Sequence, residues 1–253
     1  MADMIVDSVK LDACLDAEAD AIRAKTGGSA DIPFDYANNK GFADAIAAIP
    51  SGGGTPQNGI VFNALNNQGK ATEATFYGDV VPTGMFGRQT NTANTWAFPA
   101  LTKVHLSDSV TKIADNVFRY SLIEEITGCA NVANLNPYGI NASFANASAL
   151  KTIALPKVVS INNSSFATCT ALETVTIGSI GYGVSYVNVG SFSNCTQSGL
   201  TITIYTTGSF ADTAVANTRN GATNATIIIK ASEATTYGGN SYAAGDTILT
   251  STP

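Results

Sequence analysis

The sequence predicts an α+β fold: a parallel β solenoid of stacked coils, preceded by a small amino-terminal α-helical module. Three observations predict it. An apolar skeleton recurs with a period in the twenties, and its central Phe residues, Phe118, Phe144, Phe166 and Phe192, stand 26, 22 and 26 residues apart. Each copy has an aliphatic residue, a Phe about five positions on, and an aliphatic-x-x-aliphatic-x-aliphatic tail, as in Val159 to Ile177. The tails alternate, and Val104/Leu106, Ile153/Leu155, Val175/Ile177 and Ile202/Ile204 each place two apolar residues on one face of a strand. One copy cannot bury both its strand and its Phe alone, so each needs the coil before and the coil after it.

The order of segments divides the chain into a helical module over 1–50, a Gly/Pro linker over 51–58, and a repeat domain with caps at both ends over 59–253. From Asp7 to Lys25 the residues are Ala-rich, with Leu11, Leu15 and Ile22 at helical spacing and acidic residues on the other faces. Gly27-Gly28 stops this helix. A second short helix is expected over Gly41 to Ile49, with Phe42, Ile46 and Ile49 on one stripe and Pro50 ending it. Two such helices expose more apolar surface than they can hide on each other. These six residues are therefore expected to meet partner subunits or a docking surface. Ser51-Gly-Gly-Gly-Thr-Pro56 reads as the flexible connection.

Beyond the linker, Ile60-Val-Phe62, Ala74-Thr-Phe-Tyr77 and Val80-Val81 read as short strands. Pro82-Thr-Gly-Met85-Phe86 reads as a degenerate first coil, since terminal repeats differ from internal ones. Trp96 and Phe98 are expected in the core of that cap. After the repeats, Phe210 and the strand Thr226-Ile-Ile-Ile-Lys230 read as a last coil. An open edge strand invites pairing with another chain, so the residues beyond it are expected to cover the end of the sheet.

The run Phe166-Ala-Thr-Cys169-Thr-Ala-Leu172-Glu-Thr-Val175-Thr-Ile177 resembles the leucine-rich repeat of the bacterial surface-antigen type, whose unit ends in F-x-x-C-x-x-L-x-x-V-x-L-P. Phe192-Ser-Asn-Cys195 keeps the first half of that unit, and Leu150-Lys-Thr-Ile153-Ala-Leu155-Pro156 keeps the second. Phe118 lacks the Cys, and the coil after Phe192 carries an insertion before Leu200. The resemblance covers roughly Pro99 to Ile229. It implies a leucine-rich-repeat-like parallel β solenoid with a binding role, though one repeat type serves many such roles. The stretch from Ala231 to Ile248 is similar to the short helix and closing strand that often finish this family.

A second resemblance lies in Leu11 to Gly28, with its Ala-x-Ala-Ile22-Arg-x-Lys-Thr-Gly core, followed by Ile32-Pro-Phe34 and Gly41 to Ile49. It looks like the amino-terminal module at the head of many structural proteins in phages of Gram-positive bacteria. The resemblance implies attachment to other virion proteins through residues 1–50, with the downstream domain displayed on the particle surface. By analogy with phage fibres, a homo-oligomer is expected, a trimer first. The opening Met-Ala-Asp-Met-Ile-Val-Asp has neither a basic nor an apolar leader region, so a chain made in the host cytoplasm without a signal peptide is expected.

Composition narrows the partners. The 253 residues are 45% hydrophobic but only 13% charged, about half the usual quarter. Their net charge of -6 offers no basic footprint for nucleic acid, and no apolar run approaches the ~20 residues of a membrane span. The four cysteines, Cys14, Cys129, Cys169 and Cys195, fit neither a zinc site nor a redox pair and read as small buried apolar side chains.

Catalytic chemistry is not expected. The single His, His105, sits outward on a predicted strand beside Lys103 rather than near a nucleophile. Glu124 and Glu125 are adjacent and point to opposite faces, whereas a glycosidase needs two carboxylates held together. No metal loop and no phosphate-cradling Gly-rich loop occurs, so neither metal nor cofactor is expected. Repeated Asn-x-Ser/Thr triplets read as turn residues, because Asn tolerates left-handed backbone.

What remains is the outward side of the strands. Lys103, His105, Thr127, Thr152, Thr174, Thr176, Thr201 and Thr203 form the candidate ligand-binding face, a neutral ladder of hydroxyls suited to a host-surface glycan or protein of low charge. Strand propensity alone accounts for Thr there equally well. Two rivals remain beside a tail-fibre adhesin: a head fibre or capsid decoration without a receptor, and, disfavoured by the sparse acids, a glycan-degrading enzyme.

Overall fold

The strand order was obtained from a computed structural model, which describes residues 59–87, 98–135 and 142–253. The helical readings over 7–25 and 41–49, the attachment residues Leu11, Leu15, Ile22, Phe42, Ile46 and Ile49, the linker, Cys14, Trp96 and Ile140, the aliphatic residue at which the sequence pattern starts the Phe144 unit, lie outside the described residues.

The alternating tails all form strands, and three further strands join them in one row. In chain order these are β2 (Ala71–Tyr77), β4 (Lys103–Leu106), β6 (Glu125–Thr127), β8 (Thr152–Leu155), β10 (Thr174–Ile177), β12 (Thr201–Thr206) and β13 (Thr226–Ala231). These seven pair in parallel in that order, and a strand of opposite direction closes each end. At one end β1 (Gly59–Leu65) pairs antiparallel with β2, and at the other β16 (Thr247–Ser251) pairs antiparallel with β13. The register never slips along the middle of the sheet: Thr152 faces Thr174, Thr174 faces Thr201, and Thr201 faces Thr226. A one-residue slip would turn every buried aliphatic residue out to water, so the inward column enforces this pairing. Val104, Leu106, Ile153, Leu155, Val175, Ile177, Ile202, Ile204, Ile227 and Ile229 are all buried.

A second, shorter set of strands supplies the opposite wall. β3 (Val80–Val81), β5 (Lys112–Ile113) and β7 (Asn134–Leu135) pair in parallel, as do β9 (Ser160–Ile161) and β11 (Tyr186–Val187). Their inward residues, Val81, Ile113, Leu135, Ile161 and Val187, are buried. In the unit of Phe144 this position belongs to Leu135, so the extra length of that unit falls between β7 and the Phe.

Between the two walls the Phe rings form a column. Phe86, Phe118, Phe144, Phe166 and Phe192 stack with centroids 5.0–5.4 Å apart and planes within 8° of parallel. That spacing slightly exceeds the ~4.8 Å between paired strands, so the rings are offset as strand spacing demands. Phe86 thus heads the column, as a degenerate first coil should, and half-buried Phe98 lies tilted against both Phe86 and Phe62. Phe210 does not extend the column. It lies in a 3-10 turn (Gly208–Phe210) that opens α1 (Ala211–Arg219), a helix the apolar periodicity did not reveal because Ala and Thr carry its buried face.

The turns carrying the Phe residues are hydrogen-bonded to one another much as strands are. Phe118 N donates to Ser143 O, Phe144 N to Ser165 O and Phe166 N to Ser191 O, at 2.8–2.9 Å. Two residues on, Tyr120 N donates to Ala145 O, Asn146 N to Ala167 O and Thr168 N to Ser193 O. Tyr120, Asn146 and Thr168, whose amides reach the next unit, adopt left-handed φ of 57°, 58° and 61°, and Asn194 at the equivalent position has φ 58°. Asn accepts this conformation readily, whereas a β-branched Thr resists it.

The repeat cysteines add a third cross-link. Cys169 Sγ donates to Phe144 O at 3.1 Å and Cys195 Sγ to Phe166 O at 3.0 Å, so each thiol caps a carbonyl of the preceding unit. Cys129, Cys169 and Cys195 are free and buried. Burial drives the Cys169 thiol pKa well above its ordinary value and that of Cys195 up to about 11.

At the carboxy-terminal end, no helix forms between Ala231 and Ile248. That stretch instead makes a hairpin, β14 (Thr235–Tyr237) with β15 (Asn240–Tyr242), before the closing strand β16. Gly238-Gly239, both at positive φ, form the turn, and two such residues suit a two-residue hairpin loop rather than a helix. Arg219 locks this cap: its guanidinium donates to Thr223 O and Ala225 O on one side and to Ser251 O and Oγ on the other.

Three outcomes follow from this packing. Phe166→Ala should lower unfolding stability by about 3–5 kcal/mol in chemical denaturation, because it empties the middle of the column. Thr168→Asn, which copies the residue of the neighbouring turns, should raise Tm by about 2–4 °C, equivalent to about 1 kcal/mol of relieved strain; a lower Tm would contradict the reading of that turn. Stability should also fall as pH rises from about 9, where the unfolded thiols release their protons, to about 11, where folded Cys195 does. Cys169→Ala and Cys195→Ala should flatten that slope in pH-dependent denaturation; Ala147 already fills the equivalent position in its unit.

Candidate functional site

Parallel pairing in register converts the alternation of each strand into rows that cross the sheet. The first outward row runs Glu73, Lys103, Glu125, Thr152, Thr174, Thr201 and Thr226. The second aligns Thr75, His105 and Thr127 along β2, β4 and β6, and continues with Ala154, Thr176, Thr203 and Ile228 along β8 to β13. All eight candidate residues of the face therefore lie in these two rows. Lys103, His105, Thr127, Thr152 and Thr174 are exposed, whereas Thr176, Thr201 and Thr203 are half-buried between neighbouring strands.

The two halves of the face differ in chemistry. On β2 to β6 the row is charged, and Lys103 Nζ lies 3.4 Å from Glu125 across the strand gap. Both side chains are about half exposed, so this pair contributes little to stability. His105 Nδ1 is 2.9 Å from Thr127 Oγ1, a bond that ties the ring across to the neighbouring strand. Beside this region Lys151 Nζ bonds Glu124, which lowers the Glu124 pKa and raises that of Lys151. From β8 onward the rows are hydroxyl and methyl groups. A third row begins only at the far end, where Lys230 Nζ lies 5.8 Å over the Tyr205 ring.

A cleft of about 440 Å³ interrupts the face between β6 and β8. It brings together four of the predicted residues, Thr127, Thr152, Thr174 and Thr176, with Ala154 and Pro156 beside them. Its wall on the β6 side is the 3-10 turn Cys129–Asn131. The cleft exists because β6 stops one residue early: Gly128, at φ 77°, turns the chain away, and a Cβ there would lie 1.8 Å from Leu106 O. No side chain fits that space. The sequence carries a sign of this feature, since Ile126-Thr-Gly128 breaks the aliphatic-x-aliphatic tail kept by Ile153-Ala-Leu155 and Val175-Thr-Ile177.

Reading the strands alone missed Glu73, Thr75, Thr226 and Ile228, which extend the rows at both ends. Cys129, in the cleft wall, is 5% exposed, and burial pushes its thiol pKa up to about 12. It is a packing residue there rather than a nucleophile. Among the described residues no group of three or more His, Cys, Asp and Glu side chains is arranged to hold a metal ion, and no helix is long and apolar enough to cross a membrane.

A family profile described as "BspA type Leucine rich repeat region (6 copies)" matches residues 67–141 and 90–222, together more than half of the chain. No curated protein and no solved structure matches it.

The cleft wall gives a direct chemical check. Cys129, Cys169 and Cys195 should resist iodoacetamide in the native protein at pH 8 and label fully in denaturant, as counted by mass spectrometry. Fast native labelling of Cys129 would show the wall to be open.

Proposed function

The chain belongs to the BspA-type leucine-rich repeat family, and from that premise we propose that it is a non-enzymatic structural protein of a phage particle whose repeat domain binds a host surface. In this reading residues 1–50 attach to other virion proteins and hold the copies together, a trimer by preference. The repeat domain, a parallel β solenoid, is displayed on the particle surface in the manner of a tail fibre or receptor-binding protein.

One observation carries the binding role. The main sheet turns an exposed face outward along β4 to β10, and its side chains are set in register rather than scattered. Regular rows of hydroxyls at strand spacing offer a flat array of donors and acceptors. Their low charge suits a neutral partner and gives nucleic acid no foothold. Attachment to a particle is supported by the Ala-x-Ala-Ile22-Arg-x-Lys-Thr-Gly motif and the paired helical patterns around it.

A second reading, a head fibre or capsid decoration without a receptor, is favoured by a different surface. Val159, Ile180, Tyr182, Tyr186 and Val189 are large apolar side chains left 39–59% exposed around β9, β11 and the loop before β11. Such side chains suit packing against neighbouring copies or capsid subunits.

The full chain, fluorescently tagged, should bind cells of a Gram-positive host and be present in purified particles by mass spectrometry. Thr152→Arg with Thr174→Arg, which places charge and bulk in the middle of the face, should reduce cell binding at least tenfold at unchanged Tm. Presence in particles without cell binding would favour the decoration reading, and a chain missing from particles would overturn both.

A further inference from the structure

Every other parallel strand of the main sheet carries a second inward apolar residue: Phe76, Leu106, Leu155, Ile177, Ile204 or Ile229. Gly128 stands at that position in β6. Its effect on pairing is large. β6 meets β8 through the single pair Glu125 and Thr152, whereas β6 meets β4 through three pairs and β8 meets β10 through four. The strands part, and Ile126 and Ile153, both buried, line the gap.

The resulting cleft has a definite chemistry. Its volume, about 440 Å³, falls within the ~300–1,000 Å³ of small-molecule sites. Its rim is four hydroxyls, on Thr127, Thr152, Thr174 and Thr176, each able both to donate and to accept. Its floor and wall are apolar, with Ala130, Ala154 and Pro156 beside Ile126 and Ile153. No charged side chain lines it, and nearby charges are engaged elsewhere: Lys103 with Glu125, Lys151 with Glu124, and Lys157 with Asn131 Oδ1 at 2.8 Å.

We propose that this cleft binds a neutral, methyl-bearing sugar, an N-acetylhexosamine or a 6-deoxyhexose, as an exposed unit of a host-surface glycan. The proposal rests on reading the sheet face as a binding surface and names the ligand class for one part of it. Hydroxyls that donate and accept match the ring hydroxyls of a sugar, and the apolar floor takes its methyl group. An uncharged lining offers no counter-charge to a phosphate, a uronic acid or a sialic acid, whose desolvation would go uncompensated. A peptide added as a strand is less well served. The part of β8 left unpaired on this side spans only Ile153 to Leu155, the lower limit of a strand.

The test uses the full chain and methyl glycosides of N-acetylglucosamine, rhamnose, glucose, galactose and glucuronic acid, read by saturation-transfer NMR and titration calorimetry. The two methyl-bearing neutral sugars should bind about fourfold more tightly than glucose and galactose, from burial of one methyl group. Glucuronic acid should not bind. Ala154→Phe, which fills the cleft, should weaken binding at least tenfold, while Thr213→Phe on exposed α1 should leave it unchanged. If Ala154→Phe lowers Tm, Thr176→Val serves instead and should weaken binding several-fold. No neutral sugar binding, binding that survives both cleft variants, or preferred binding of glucuronic acid would overturn the proposal. Cell adhesion that persists in Ala154→Phe and ignores free N-acetylglucosamine and rhamnose would sink the cleft and leave the face reading standing. Sugar binding by a chain that adheres to no host cell would do the reverse.

Discussion

The constraint on which the rest of this structure depends is the fixed distance between hydrogen-bonded strands. Once β4 to β13 pair in parallel, every chemically equivalent atom of one unit lies roughly 4.8 Å from its copy in the next. A ring must then stack on a ring, a turn amide must find the next turn's carbonyl, and a thiol must meet the carbonyl below it. The Phe column, the ladder of turn hydrogen bonds and the Cys-to-carbonyl contacts are three expressions of that one repeat distance. They also account for the low charge of the chain. A stack built on identical neighbours would place like charges directly opposite one another, which is destabilising. Threonine, whose hydroxyl is neutral and whose branched side chain suits a strand, avoids that conflict.

The same repetition makes departures from it informative. Gly128 removes one inward side chain, β6 and β8 keep a single pair, and the sheet opens at that place. The loss lies next to the change in surface character, from the ion pair Lys103–Glu125 and the His105–Thr127 bond on one side to hydroxyls and methyls on the other. A repeat family supplies a stack and a face. Whatever selectivity this chain has must come from where its units differ.

The parts legible in the sequence were those in which one residue type repeats at one spacing. The main-sheet strands β4, β6, β8, β10, β12 and β13, their inward residues, the Phe column from Phe118 to Phe192 and the outward rows from β4 to β12 could be read from alternation and period. The parts that escaped depend on residues with weak periodic signals. Helix α1 buries Ala211, Ala214 and Thr218, small or polar side chains that leave no apolar stripe. The hairpin at Gly238-Gly239 replaced an expected helix because positive φ at two successive residues overrides the propensities around it. Leu135 was hidden by the extra residues between it and Phe144. The cleft was missed because it is written as an absence, a Gly where an aliphatic residue belongs, and a pattern search rewards presence.

Amide hydrogen exchange, resolved to single residues by NMR, tests most directly whether neighbouring units support one another through their turns as well as their strands. The amides of Phe144, Asn146, Phe166 and Thr168 belong to no strand, yet each donates to the following unit. They should exchange as slowly as those of Val175 and Ile202, with a common opening free energy. Fast exchange at these four positions beside protected strands would show that the sheet stands without its turns, and the account of the fold given above would fail.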